Sequence, residues 1–449
     1  MKDFFEYDCL IVGAGASGLF AASLLSTAGL KCAVVEANNK LGAKLLQTGN
    51  GKCNFTNLNL NEENYQNEDR DKAFAIIKEF DNKEVINYFK ELGVLTKIRD
   101  GYVYPRSETA LSVVNALRLD IESKKVKQFL NCSFKSFKKE GDYFLVNCLE
   151  KMEENSKKQE NSKKQDTSKK QEASKKQEAS FPITIKAKKL IIATGTNASI
   201  DNKRKSNQEE FLKDMSIKYK KFLPALVALK ADNKFIKLAK GVRALGKVTI
   251  LVDGKEIASD TGEIQYADYG ISGIPVFQVS RYATAALNDK RKVYASLDIT
   301  PDFTKEELFE NVSLIVKNGQ TKLLRELFDG FINHKLMEFI LKNINMDLDI
   351  KASNLTSKDI DKICKALKNT SLEITDSKGE NFAQVLQGGV LFSELTPDLE
   401  SKKYPGLYFC GEIVDVDGMC GGYNLQWAFS SAHKLSKKII GEYSGTGSN

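Results

Sequence analysis

Three glycines and one carboxylate near the start of the chain have the types and spacing that a dinucleotide needs. Gly13 permits a tight turn after an apolar run, and Gly15 lacks a side chain, so backbone N–H groups can approach a pyrophosphate. Gly18 allows the following helix to pack closely on a sheet. Glu36 ends the next apolar run and can accept hydrogen bonds from the hydroxyls of an adenosine ribose. These positions predict a dinucleotide site.

A strand–turn–helix–strand unit must position these residues. Apolar runs predict strands at residues 7–12 and 32–35, with a helix from residue 17 to about residue 27 between them. The positive end of that helix faces the phosphates. Glu36 would repel a 2′-phosphate on the ribose. The predicted contacts of this unit also include the neighbours of the glycines and of the carboxylate: Ala16, Ser17 and Ala37.

A loop at residues 44–57 is rich in glycine, amide and hydroxyl residues. Taken alone, this composition also fits a solvated surface loop. A nicotinamide dehydrogenase needs one phosphate-binding turn, whereas a flavin must also have its ribityl chain and ring enclosed. We therefore expect the loop to contact a flavin through five residues: Lys44, Gly49, Gly51, Asn54 and Thr56.

A second candidate flavin segment lies near the C-terminus. Residues 406–412 predict a short strand that ends in Gly411 and Glu412, and a helix is predicted to begin near Asn424. Glu412 could bind ribityl hydroxyls, and the positive end of the helix could stabilise negative charge on a reduced flavin. A buried strand at residues 190–195 returns the chain to the same sheet. The remaining predicted contacts of these segments are Thr194, Gly195, Gly422 and Leu425.

Composition argues against a membrane span, a metal centre and a strongly basic surface. No apolar stretch approaches the roughly 20 residues that span a bilayer, and no signal-peptide pattern is present, so we expect the cytoplasm. The eight cysteines contain no Cys-x-x-Cys pair, which predicts buried free thiols and neither zinc nor a redox disulfide. Residues 151–180 carry nine lysines against six acids, so they supply part of the net charge of +8. The remaining charge does not favour nucleic acid as a partner.

Changes of pattern indicate that residues 1–200 form one unit. Residues 151–180 repeat Ser-Lys-Lys-Gln without one aromatic residue, so we expect them to be a disordered, expanded tip of a β-hairpin. A functional alternative, a basic arm for an anionic surface, is opposed by the acids between the lysines.

The middle of the chain is predicted to be an inserted region with two parts. Residues 201–301 predict a β-rich, substrate-side domain, and runs at 276–279 and 293–299 within it resemble strands. Residues 302–379 have helical periodicity and predict a small helical subdomain. The predicted fold class is therefore α/β, a Rossmann-like domain with an inserted β-rich domain and a small helical subdomain. No motif indicates an oligomeric state.

The chain resembles, nearly end to end, a bacterial family of NAD(P)/FAD-dependent oxidoreductases, which includes aminoacetone-oxidase-like and 3-dehydro-bile-acid Δ4,6-reductase-like flavoproteins. The resemblance implies a Rossmann-like FAD-binding domain (the cofactor domain) formed by residues 1–200 and 380–449, and a small-molecule substrate on the side of the inserted region. Lys52 stands where the family commonly has arginine, and Asp268 stands where many members have histidine. The motifs that carry the resemblance are residues 13–18, 48–57, 269–273 and 406–426.

By this resemblance we expect hydride transfer through flavin N5 between NAD(P)H and an unsaturated carbonyl compound, such as a steroid or bile acid. No second glycine fingerprint is present, so NAD(P)H would bind transiently against the flavin. Candidate proton donors are Lys52, Asp268 and Tyr269, each of which could instead position the flavin. Cys53 would be reactive only if its pKa were lowered. An FAD-dependent amine oxidase, an RNA-associated flavoprotein and a redox sensor without turnover remain open alternatives.

Overall fold

The first part of the chain forms the predicted βαβ unit. Strand β1 (Phe5–Val12), helix α1 (Ala16–Thr27) and strand β2 (Cys32–Val35) follow one another, and the two strands pair in parallel. Because β1 is covered on both faces, all of its later residues are apolar: Leu10 faces one core and Ile11 the other. The computed structural model describes three stretches of the chain: residues 5–151, 180–199 and 208–446.

Four further strands and one C-terminal strand extend this sheet. Strand β6 (Lys127–Phe129) pairs in parallel with β2, and β9 (Ser180–Ile192) pairs in parallel with β1. Strands β7 (Cys132–Glu140) and β8 (Tyr143–Lys151) continue the sheet in antiparallel pairing beyond β9. Strand β18 (Leu407–Phe409) also pairs in parallel with β9 and so brings the C-terminal part of the chain into the cofactor domain.

The lysine-rich repeat joins two paired strands. Lys151, the last residue of β8, lies opposite Ser180, the first residue of β9, in an antiparallel register. The predicted disordered hairpin tip therefore connects adjacent strand ends. Residues 152–179, on which the prediction of disorder falls, lie outside the described residues.

Helices cover this sheet, and a small antiparallel sheet lies beside the glycine-rich loop. The small sheet has the order β3 (Thr56–Asn57), β5 (Tyr102–Pro105), β4 (Thr96–Arg99). None of the helices among the described residues has the length and apolarity that a bilayer span requires. The helices of the cofactor domain besides α1 are α2 (Arg70–Glu79), α3 (Asn82–Glu91), α4 (Ala110–Ser123), α5 (Gln208–Asp214) and α11 (Tyr423–Thr446).

The inserted region contains a closed barrel in which each strand pairs with two neighbours, in the order β11-β14-β13-β12-β15-β16. Its central hairpin turns at Asp253 and Gly254, whose φ angles of 50° and 81° are those of the tight hairpin turn that an Asp-Gly pair favours. The barrel strands are β11 (Leu229–Asp232), β12 (Arg243–Val252), β13 (Lys255–Ala267), β14 (Gly270–Ser272), β15 (Val293–Asp298) and β16 (Thr370–Ser377).

One strand predicted in this region is wrong, because residues 276–279 belong to helix α6 (Ile274–Asn288). The helix begins after Gly273, and proline occupies its first turn. Buried apolar residues recur along it at positions 276, 279, 283 and 286, which is the spacing of one helix face. The short apolar run alone did not separate the two possibilities.

The predicted helical subdomain contains one barrel strand. Strand β16 lies within residues 302–379 and pairs with β11 on one side and β15 on the other. Its residues alternate between buried and exposed. Strands β10 (Tyr219–Ala225) and β17 (Val385–Val390) pair with each other where the chain enters and leaves the inserted region. The helices of the subdomain are α7 (Lys305–Asn318), α8 (Leu324–Leu327), α9 (His334–Asn343) and α10 (Ser357–Lys368).

Candidate functional site

Of the three glycines in the turn after β1, two are closely packed and one borders open space. A Cβ on Gly13 would lie 2.4 Å from the carbonyl oxygen of Ala193, and one on Gly18 would lie 1.9 Å from the carbonyl oxygen of Gly13. Within the part of the chain that the structure describes, a Cβ on Gly15 would have no atom within 4 Å apart from its chain neighbours and the backbone of its own helix. The first and third glycines therefore permit close packing, whereas the second leaves an open cradle at the start of α1. Such a cradle fits a pyrophosphate.

Glu36 lies at the carboxyl end of β2 and is tied to the glycine turn. Its Oε2 accepts from the N–H of Ala14 at 2.8 Å, and its Oε1 accepts from the N–H of Asn38 at 2.8 Å. The side chain is buried, whereas the adjacent Ala37 is exposed. Oε1 also accepts from Nδ2 of Asn38 at 2.6 Å, so Oε2 is the oxygen with a second lone pair for a ribose hydroxyl.

Glu412 connects the glycine-rich loop with two other parts of the cofactor domain. Its Oε2 lies 2.6 Å from Nζ of Lys44, and its Oε1 accepts from the hydroxyl of Thr196 at 2.7 Å and from the N–H of Leu386 at 3.1 Å. The negative charge that was predicted to face ribityl hydroxyls is thus already paired with a lysine. Gly195 lies beside it, since a Cβ there would be 3.9 Å from Oε2.

Two glycines of the C-terminal segment lie against predicted cofactor residues. A Cβ on Gly411 would be 2.4 Å from Oγ of Ser17, so this position brings the segment directly onto α1. A Cβ on Gly422 would lie 2.7 Å from the carbonyl oxygen of Thr56 and 2.9 Å from Oδ1 of Asn54. The structure therefore brings the glycine turn, the loop and the C-terminal segment together. Thr194 is half-buried at the end of the strand that precedes Gly195.

The glycine-rich loop has an unusual backbone. Gly49, Asn50, Gly51 and Cys53 all have φ between 54° and 82°, the left-handed region. This path turns Lys52 to the surface and buries Cys53. Burial raises the pKa of the Cys53 thiol to about 12, so it is protonated at neutral pH and the condition for a reactive thiol is not met.

The amide of Asn424 closes the turn in front of α11. Its Oδ1 accepts from the N–H of Gly418 at 2.8 Å, and its Nδ2 donates to the carbonyl oxygen of the same residue at 2.9 Å. Leu425 is half-buried against the core beneath α1. The backbone N–H groups of this helix start, rather than the Asn424 side chain, are the groups left to face a cofactor.

The three predicted proton donors lie on two different domains. Lys52 is on the exposed part of the loop, and Asp268 and Tyr269 are in the turn between β13 and β14. Nζ of Lys240 lies 2.6 Å from the exposed Asp268 and lowers the pKa of its carboxyl group. Nζ of Lys378 lies 4.4 Å from the ring centre of Tyr269, whose pKa is raised by partial burial.

Helix α6 holds the loop in front of α11, a contact that the sequence analysis missed. Arg281 donates through Nε and Nη2 to both carboxylate oxygens of Asp417, at 2.9 and 3.1 Å. One turn before Arg281, Oε1 of Gln278 accepts from the N–H of Cys420 at 2.8 Å. Tyr282, the residue after Arg281, donates its hydroxyl to Oε1 of Gln66 at 2.7 Å. These three side chains share one helix face. The polar i, i+3, i+4 spacing could have indicated the contact had the segment been read as a helix.

The arrangement fits FAD. The open cradle at Gly15 and the start of α1 would take the pyrophosphate, and the carboxylate of Glu36 would take the adenosine ribose. The N–H groups at the start of α11 would favour negative charge on the ring. The pairing of Lys44 with Glu412 joins the glycine-rich loop to the C-terminal segment.

Comparisons with known proteins agree with this geometry. A model of the HI0933-like protein Rossmann domain matches residues 7–160, and a model of the HI0933-like protein barrel and H2TH domain matches residues 223–385. The 3-dehydro-bile acid delta(4,6)-reductase of Clostridium scindens is 32% identical over 426 residues, which cover 94% of this chain and 96% of that protein. The ribosomal RNA dihydrouridine synthase of Escherichia coli K12 is 24% identical over 441 residues, 97% of this chain and 98% of that protein.

Among solved structures, a 3-ketosteroid delta1-dehydrogenase from Sterolibacterium denitrificans has a similar fold, with a TM-score of 0.50 and 11% identity over 97% of this chain and 100% of that chain. At this identity the likeness concerns the fold alone. The identity to the bile acid reductase extends over both the cofactor domain and the inserted region. The chain therefore belongs to the HI0933-like family and is a flavoprotein oxidoreductase.

Proposed function

We propose that this enzyme reduces a carbon–carbon double bond conjugated to a carbonyl group in a small molecule, with electrons from NADH or NADPH. The observation that carries the proposal is the 32% identity, over 94% of the chain, to a 3-dehydro-bile acid delta(4,6)-reductase. That name denotes the reduction of double bonds in a 3-oxo compound. A steroid-like enone is accordingly the first substrate class to test.

The residues of the site supply binding and orientation. When bound, FAD supplies a carrier that takes two electrons from one substrate and gives them to another. Glu36 and the glycine turn would hold its adenosine end, and the charge of Glu412, which was predicted to face the ribityl hydroxyls, is compensated by Lys44. The start of α11 would favour the reduced state by stabilising negative charge.

Reduction of such a bond also needs a proton, for which Lys52, Asp268 and Tyr269 remain the predicted donors. The pKa of Asp268 is lowered by Lys240, so its carboxyl group is ionised at neutral pH and lacks a proton to give. The raised pKa of Tyr269 keeps its phenol protonated. Of these two, Tyr269 is the better acid candidate.

A spectrum and two half-reactions test the proposal. The purified protein should show flavin bands near ~450 nm, and anaerobic NADH or NADPH should bleach them. A 3-oxo-4,6-diene steroid should then restore the bands and yield a product two hydrogens heavier. No flavin bands, or no bleaching by either donor, would contradict the proposal. Bleaching by an amine, followed by restoration of the bands by oxygen with hydrogen peroxide as product, would favour the amine oxidase alternative.

An RNA substrate is the second candidate. The observation that favours it is the 24% identity over 97% of the chain to a ribosomal RNA dihydrouridine synthase. Dihydrouridine differs from uridine by two hydrogens across a double bond conjugated to a carbonyl, so the same chemistry would apply. Binding of ribosomal RNA by the protein with residues 151–180 deleted should weaken steeply with salt if RNA is the substrate. A slope near zero would remove this candidate.

A further inference from the structure

Tyr102 lies where the small sheet of the cofactor domain meets the segment in front of α11. Tyr102 pairs with Asn57 of strand β3, and the Cε1 atom of its ring is 3.4 Å from the position that a Cβ on Gly421 would take. The next residue, Val103, donates its N–H to Oδ1 of Asn54 at 3.2 Å. Tyr102 is therefore a direct neighbour of two of the three segments that are predicted to hold the flavin.

The phenol of Tyr102 is available to a ligand. The side chain is half-buried, and its hydroxyl has no hydrogen-bond partner within residues 5–151, 180–199 and 208–446. A half-buried hydroxyl without a protein partner can donate to a bound molecule at no cost in broken protein contacts.

Asp260 approaches the same place from the barrel. It shares the face of β13 with Ile264 and Tyr266, both buried, and it lies opposite the buried Val248 of β12. Because the neighbouring residues on this strand face are apolar, packing alone does not explain a carboxylate at this position. Two residues further along β13, a Cβ on Gly262 would lie 3.5 Å from Pro275 of α6, and Oε1 of Gln278 in α6 accepts from the N–H of Cys420 at 2.8 Å, so β13 and the segment in front of α11 contact the same helix. The carboxylate of Asp260 raises the pKa of both Tyr102 and Cys420.

We propose that Tyr102, and not Tyr269, is the proton donor of the reduction proposed above, on which this inference rests, and that Asp260 is a positioning residue whose charge acts on the phenol. The carbon β to the carbonyl gains a hydride, which carries both electrons and originates from the nicotinamide donor. The O–H bond of Tyr102 breaks as a C–H bond forms at the α carbon. The phenolate then regains a proton from water.

The electrostatic surroundings are consistent with this role. Burial is the largest cause of the raised pKa of Tyr102. Four nearby groups that become negative on ionisation raise this pKa further: Cys420, Tyr104, Asp260 and Asp100. The phenol therefore stays protonated at neutral pH. Asp260 itself has a raised pKa, because it is partly buried.

Two phenylalanine variants test the inference in the holoenzyme. Tyr104 lies two residues along the same strand, is also half-buried, and serves as the matched control. Flavin reduction by NADH or NADPH should be equal in Tyr102→Phe, Tyr104→Phe and the wild type. Flavin reoxidation by the enone should fall about 100-fold or more in Tyr102→Phe alone, the usual contribution of a general acid. Equal reoxidation rates in the two variants would overturn the inference while leaving the proposed function intact.

A measurement without turnover tests the same residues independently. In FAD-loaded protein with ¹³Cζ-labelled tyrosine, the resonance lost in Tyr102→Phe should shift when dithionite reduces the flavin. Its pH midpoint should fall in Asp260→Asn, because a negative charge that raises the pKa of the phenol is removed. A resonance that changes neither on reduction nor in Asp260→Asn would overturn the inference. This result does not depend on turnover, so it is distinct from a wild type that reduces no enone, which would overturn the proposed function.

Discussion

Replacing Arg281 by methionine removes the ion pair through which α6 holds the segment in front of α11. The guanidinium donates to both oxygens of Asp417 at 2.9 and 3.1 Å, and the two side chains are only 13% and 3% exposed. Methionine keeps most of the apolar stem of the arginine, so the change removes mainly charge and hydrogen bonds. It leaves the carboxylate of Asp417 buried without its donor.

The expected loss of unfolding free energy is about 3–5 kcal/mol, the usual cost of removing one partner from a buried ion pair. This is a large part of the roughly 5–15 kcal/mol by which proteins are stable. Burial already raises the pKa of Asp417. The loss should therefore be largest at neutral pH and smaller at acidic pH, where the unpaired carboxyl group takes up a proton.

Urea unfolding followed by the fluorescence of the single tryptophan, the buried Trp427, measures this loss. Arg243→Met is the matched control, because its pair with Glu263, also at 3.1 Å, has side chains that are 61% and 63% exposed. Its loss should not exceed about 1 kcal/mol. The double variant Arg281→Met/Asp417→Leu should regain most of the stability, since an apolar replacement of both partners removes the buried charge.

Equal midpoints for Arg281→Met and Arg243→Met would refute the reasoning. So would a double variant that is no more stable than Arg281→Met alone, because the cost would then come from lost packing and not from an uncompensated charge. Flavin content should also fall in Arg281→Met and recover in the double variant if the pair positions the segment in front of α11.

Three further variants or measurements follow from the site. Gly15→Val should weaken FAD binding at least about tenfold, or about 1.4 kcal/mol, by filling the open cradle. The melting temperature of the apoprotein should stay unchanged, because a Cβ at this position has no other described side chain within 4 Å. Unchanged FAD affinity would contradict the assignment. Burial raises the pKa of Asp415 to about 6, so the folded protein holds a proton that the unfolded chain has already released. Stability should therefore fall by up to about 3 kcal/mol as pH rises from about 4 to above 6, and Asp415→Asn should abolish that slope in urea unfolding; a slope that persists would refute the origin. Cys53, buried and with a thiol pKa of about 12, should resist iodoacetamide at pH 8 until urea is added, as peptide mass spectrometry would show.

Local signals were sufficient for the glycine turn and the two strands beside it. Gly13, Gly15 and Gly18 each owe their role to a missing Cβ, which the sequence shows directly, and the strands on either side end in apolar runs. The atoms that Gly13 must avoid belong to Ala193, which is far along the chain, so the turn was predictable and its packing partner was not. The predicted strand at residues 32–35 is confirmed with the same bounds. The apolar run at residues 276–279 was misread because a run of that length fits a strand and a helix equally well.

The sequence by itself determined the fold class, the glycine turn and the position of Glu36, because these depend on backbone freedom and hydrophobic periodicity over short spans. Only the tertiary structure decided that Lys44 pairs with Glu412, that Arg281 holds Asp417, and that Tyr102 lies against Gly421. Those partners are far apart along the chain, and their meeting depends on how the barrel and the cofactor domain pack. No spacing within one segment carries that information, which is why the site was predicted in pieces and assembled only in three dimensions.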